Sequence, residues 1–127
     1  MKKLFLGLLI TTTTFVSAQH ISDSLVAVLK TGNTTKLANY FEKSIDLSIP
    51  ENEGVYSKTQ AKLVLKKFFL KNKPSDFKIV HSGNSKNNSH YAIGNLKSSN
   101  GLYRTYILYK ELNKKIIILE LKIELNE

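Results

Sequence analysis

The side chains of this sequence that could do chemistry are few and scattered. It holds three histidines (His20, His81 and His90), a single arginine (Arg104), six tyrosines and no cysteine. Without cysteine there is no thiolate nucleophile, disulfide framework or cysteine metal site. The histidines have no ligand spacing, so no metal is expected, and no cofactor is implied. A serine triad has no supporting G-x-S-x-G elbow. Gly83, Gly94 and Gly101 do not make a phosphate loop; Gly94 in a strand suits a bulge that bends a sheet. Asp23, Asp46 and Asp76 sit beside turns, helix starts or solvent-side strand positions, where carboxylates cap or hydrate.

Arg104 stands out because the other basic residues are all lysine. Lysine satisfies a need for surface charge, whereas arginine supplies a planar fork of donors. Its role depends on which residues share its face, and therefore on the elements that carry it.

Ile21 to Lys30 reads as a helix capped by Ser22 and ended by Gly32. Thr34 to Phe41 reads as a second, capped by Asn33 or Thr34. Ser44 to Ile49 alternates as a short strand, and residues 50–54 form a turn. Val55-Tyr56 is a brief extended piece. Ser57 and Gln60 match a capping box opening a third helix that runs to about Lys71, with Ala61, Val64, Leu65, Phe68 and Phe69 as its apolar stripe. The period then becomes two. Strands are expected around Phe77 to His81, His90 to Lys97, Leu102 to Lys110 and Lys115 to Leu125, with Asn100-Gly101 as the clearest hairpin turn. This is an α+β layer, three N-terminal helices on a curved, mainly antiparallel sheet that ends in a four-stranded meander.

With Glu111 to Lys114 as a loop, 108 faces 117, 106 faces 119 and 104 faces 121. Leu102, Arg104, Tyr106 and Leu108 then share the core face with Ile117, Leu119, Leu121 and Ile123. The same logic adds Tyr91, Ile93 and Asn95, and His81 follows from Phe77 and Ile79. The expected ligand-binding pocket is therefore His81, Tyr91, Asn95, Arg104 and Tyr106, with the arginine buried and bonded to a carboxylate, a carbonyl or an anion. Tyr103, Thr105, Ile107 and Tyr109, beside Ile116 and Ile118, would form an apolar open face suited to a homodimer.

Residues 1–18 read as a secretory signal peptide: Lys2-Lys3, a short apolar run, and Val16-Ser17-Ala18 as cleavage site. The run is too short to span a bilayer, and no later segment is apolar enough to do so. Export to the periplasm or medium is expected, leaving 19–127 as a single domain. The 127 residues and 42% hydrophobic content fit one folded unit. Cleavage removes two lysines from a formal net charge of +9. The lysines are spread along the chain and only one arginine is present, so a solvated basic surface is favoured over nucleic-acid binding.

Several segments resemble a known family: Gly32-Asn33 with Leu37 to Phe41, Gly54 to Ala61, Phe68-Phe69, Phe77 to Gly83, Tyr91 to Leu96 and Gly101 to Arg104. The element order is similar to the nuclear-transport-factor-2-like fold, the cystatin-like roll shared with ketosteroid isomerase. Within it, the chain resembles an uncharacterised family of small signal-peptide-bearing bacterial proteins. The resemblance implies a cone whose sheet curls around the helices and leaves a pocket at its open end. It implies no reaction. The isomerase arrangement of an Asp base with a Tyr/Asp oxyanion pair cannot be placed here. The leading expectation is a non-catalytic exported binding domain for a small anionic or amphipathic molecule, or for a protein partner. The alternatives are a cone-pocket enzyme of isomerase or dehydratase type, with His81 as base and Arg104 and a tyrosine as electrophiles, and a dimeric interaction module.

Overall fold

The computed structural model describes Gly7, Leu9, Ile10 and residues 21–126. Apart from those three positions, the expected leader and its cleavage site lie outside the described residues. No helix among the described residues is long and apolar enough to cross a membrane.

Two short helices come first. In α1 (Asp23–Thr31) the Ser22 hydroxyl accepts from the Leu25 amide at 3.3 Å, and Gly32 ends the helix in the left-handed conformation at φ 67°. In α2 (Thr34–Ala38) the Asn33 side chain accepts from the Lys36 amide at 3.0 Å. The chain then enters a hairpin, β1 (Phe41–Ile49) and β2 (Asn52–Ser57), turning at Pro50-Glu51. Phe41, expected at the end of a helix, opens β1, and residues 52–56, expected as turn and brief extended piece, belong to β2. Pairing with β1 makes β2 a full strand despite its polar, poorly alternating residues. The third helix therefore follows two helices and a hairpin.

α3 (Lys58–Lys71) opens on the expected capping box: the Gln60 amide donates to the Ser57 hydroxyl at 3.2 Å, and the Ser57 amide donates to Gln60 Oε1 at 3.3 Å. It buries Ala61, Leu65, Phe68 and Phe69. Four strands complete the chain: β3 (Pro74–Asn84), β4 (His90–Ser98), β5 (Gly101–Leu112) and β6 (Lys115–Leu125). They pair consecutively and antiparallel, and β6 then pairs with β1 in parallel. The sheet order is β2-β1-β6-β5-β4-β3.

Two irregularities decide which side chains reach the core. β5 and β6 are joined by a two-residue turn at Asn113-Lys114, both at positive φ, as a right-twisted hairpin requires. Tyr109 pairs with Ile118, but Leu108 pairs with Glu120. Leu119 is thus an extra residue, a β-bulge, and every pairing beyond it changes parity. A second bulge at Val80 separates the Ile79–Gly94 pair from His81–Ile93. Gly94 lies beside it, as a bending position would, and a Cβ there would meet the Phe77 ring at 2.5 Å.

The consequence is an inversion of the expected faces. Tyr103, Thr105, Ile107, Tyr109, Ile118, Leu121 and Ile123 are buried inside, under the helices. Arg104 is exposed, and Tyr106 and Leu108 are half-buried on the other side. The apolar face expected to be open to a dimer partner is instead core, with Ile116 packed against it. Thr34, Asn72, Ser89 and Thr105 are the buried polar residues among those described, and of their side chains the Thr105 hydroxyl is the one fully buried without a hydrogen-bond partner.

Candidate functional site

The five residues expected to line a pocket do come together, because the β3–β4 and β4–β5 registers place them in adjacent rows. Asn95 pairs with Arg104 and with Lys78; Ile93 pairs with Tyr106 and His81. Tyr91 Oη lies 2.8 Å from His81 Nε2, and the Tyr91 and Tyr106 rings stack at 6.3 Å and 17°. The cluster sits on the outer surface of the sheet, on the face away from the core. His81 and Arg104 are exposed, and no carboxylate lies within ion-pair distance of the guanidinium among the described residues. The buried, bonded arginine expected from the sequence is therefore corrected, and the Leu119 bulge is the reason.

The outer surface continues onto β6 and β1. A shallow depression of about 340 Å³ lies between Ile93, Arg104, Tyr106, Glu120, Lys122 and Glu124. Glu120 lies beside Asp46 of β1. Partial burial, and next the Asp46 charge, raise the Glu120 pKa above its ordinary value; Lys122 opposes them. Burial raises the Tyr106 pKa as well, followed by Glu120 and Tyr91. A carboxyl whose pKa is raised by folding holds its proton more tightly in the folded state. Its contribution improves as pH falls through the raised value and is least favourable at neutral pH. Glu120→Gln should therefore raise the melting temperature at neutral pH. The gain should shrink as pH falls through about 4 and vanish below it, where the glutamate is protonated in both states. A gain that grows on acidification would contradict this.

The helix-covered side of the sheet offers a different site. There the β1–β2 turn, the second half of α3 and the β4–β5 hairpin enclose a cleft of about 580 Å³. Its floor is aromatic: Phe68 and Tyr103 meet edge to face at 5.3 Å and 84°. Ile49, Val64 and Leu70 add apolar walls, Lys67 and Lys71 stand at the rim, and Glu51 in the turn is the one carboxylate of the lining.

One polar knot holds this cleft open. Asn72, which ends α3, is 9% exposed. Its Nδ2 donates to the Phe68 carbonyl at 3.0 Å. Its Oδ1 accepts from Tyr103 Oη at 2.9 Å and from Asn100 Nδ2 at 3.1 Å. Asn100 also donates to the Lys71 carbonyl at 2.6 Å. The end of α3 is thereby tied to the β4–β5 hairpin beside the cleft, and Phe68 and Tyr103 are fixed. Tyr103, expected on the open outer face, lies in this cleft instead. The signal available was Asn72 itself, directly before Lys73-Pro74, where a side-chain amide can satisfy terminal carbonyls.

The titratable side chains of the cleft lining are Glu51, Lys67, Lys71 and Tyr103. His81 and Arg104 are not among them, so a reaction with His81 as base has no base in this cleft. No group of three or more His, Cys, Asp or Glu residues among the described ones could hold a metal ion.

A family profile described as "Domain of unknown function (DUF4783)" matches residues 22–124. A solved structure of a DUF4783 family protein from Bacteroides ovatus is 27% identical, with a TM-score of 0.75, over 87% of this chain and 100% of that one. One from Bacteroides fragilis is 28% identical with a TM-score of 0.75, over 84% of this chain and 100% of that one. An uncharacterized protein with a cystatin-like fold from Caulobacter vibrioides is similar in fold alone, at 11% identity and a TM-score of 0.59, over 80% of this chain and 82% of that one. No curated protein matches the chain.

Proposed function

Since the chain belongs to the DUF4783 family, whose description names no activity, we propose from the geometry of the cleft that it is a binding domain for a small amphipathic anion. The carrying observation is the cleft, with an apolar floor and a cationic rim. Phe68, Val64 and Leu70 suit a hydrocarbon or aromatic body, while Lys67 and Lys71 suit a carboxylate, sulfate or phosphate head. Ligand pockets commonly combine an apolar lining with a few polar groups that orient the guest. The lysines act as mobile point charges, so the site selects for charge and apolar length more than for a fixed head-group geometry. The leader-like residues 1–18 support a role after export, which N-terminal sequencing of the exported protein would test. Mature protein is expected to begin at Gln19.

Anilinonaphthalene sulfonate, whose fluorescence rises in apolar surroundings, is a direct probe. The native chain is expected to bind it saturably. Val64→Trp, which fills the cleft, should weaken binding by about tenfold or more. Lys71→Glu should weaken it while leaving the melting temperature nearly unchanged. Equal binding by all three proteins would overturn the proposal.

A further inference from the structure

α3 is apolar on both of its sides. Ala61, Leu65, Phe68 and Phe69 face the core. A helix packed this way usually shows polar residues to water. At ~100° per residue, Leu63 and Leu70 lie within about 20° of one another, opposite that buried stripe. They are 55% and 76% exposed. Lys62 and Lys66 flank the pair on one side, and Lys67 and Lys71 on the other. α3 contains no acidic residue, and none of the ion pairs among the described residues involves an α3 lysine.

We propose that the outward face of α3 docks on an anionic bilayer surface. The leucines enter the boundary between headgroups and acyl chains, and the lysines reach outward to lipid phosphates with their stems along the apolar surface. Charge complementarity alone would also suit a polyanion. The leucines decide the matter: nucleic acid neutralises lysines but offers no apolar phase in which central, exposed leucines gain by burial. Lys67, Leu70 and Lys71 also border the cleft. Docking therefore sets the cleft opening against the lipid, and an amphipathic guest enters without crossing water. That entry step rests on the cleft reading; the docking does not.

The chain has no cysteine, so Leu63→Cys and, in the β3–β4 loop, Lys86→Cys each accept one environment-sensitive fluorophore in the full chain. The readout is then local to α3. Vesicles of equal parts phosphatidylglycerol and phosphatidylcholine should blue-shift the label at 63 and leave that at 86 unchanged. Phosphatidylcholine alone should shift neither. Lys62→Glu with Lys66→Glu, added to Leu63→Cys, should weaken the response by about tenfold or more, with circular dichroism showing the fold retained. These lysines do not line the cleft, and Val64→Trp should leave the blue shift in place. Loss of cleft binding and loss of docking are thereby separated. A shift at both labels or at neither, an equal response to neutral vesicles, or one indifferent to the glutamates would overturn the proposal. Tight heparin binding with no shift on vesicles would overturn it in favour of a polyanion partner.

Discussion

Ile107→Lys is expected to unfold the chain. Ile107 is 0% exposed and lies between Ala92 and Leu121 of the flanking strands, under the helices. A lysine there must bury an ammonium with no carboxylate among its strand neighbours, or pull β5 out of the sheet. Removing compensation from a buried charge costs about 3–5 kcal/mol, and the lost apolar packing adds to that. Domains of this size hold only about 5–15 kcal/mol in total. The melting transition, followed by circular dichroism, should fall to ambient temperature or disappear. Leu108→Lys, one residue away, is the control. Leu108 is half-buried on the outer surface and pairs with Glu120, so a lysine there should cost about 1 kcal/mol or less. A folded Ile107→Lys protein beside an unfolded Leu108→Lys protein would contradict the observed faces and restore the arrangement expected from the sequence.

Asn72→Leu should be the next most damaging change. It leaves the Tyr103 hydroxyl and the Asn100 amide without the Oδ1 acceptor, and the Phe68 carbonyl without its side-chain donor. Tyr103 is 6% exposed, so water does not readily replace the lost partner. Each buried unsatisfied group costs about 1–3 kcal/mol, and a loss of roughly 2–4 kcal/mol is expected from the knot. Adding Tyr103→Phe to Asn72→Leu removes the orphaned hydroxyl and should recover about 1 kcal/mol. Denaturant unfolding of the two single variants and the double variant measures the coupling. Strictly additive losses would show that the hydrogen bond contributes nothing.

Local chemistry was legible in the sequence wherever it is written in adjacent residues. The caps at Ser22, Asn33 and Ser57, the left-handed Gly32 and the turn before Gly101 all act within a few positions. The β4–β5 register followed from that turn, which is why Tyr91, Asn95, Arg104 and Tyr106 were correctly grouped on one face. Which face they occupy is a longer-range property. Ile116 to Leu119 is an unbroken apolar run, so alternation cannot show where the parity changes. The spacing of three between the buried Ile118 and Leu121 marks the bulge only once burial is known. β2 was missed because its pattern is mostly exposed and its order comes from β1. The cleft was missed for a related reason: its lining comes from two turns and a helix that meet only in the folded chain.

The proposed binding site is tested most directly by mapping backbone amide shifts in nuclear magnetic resonance spectra during titration with laurate, an anionic single-chain amphiphile, below its micelle concentration. The cleft reading predicts saturable shifts concentrated at Ile49 to Asn52, Val64 to Asn72 and Asn100 to Tyr103, with Ile93, Tyr106 and Glu120 on the outer surface left in place. Shifts centred on that outer surface, or a uniform drift without saturation, would contradict it.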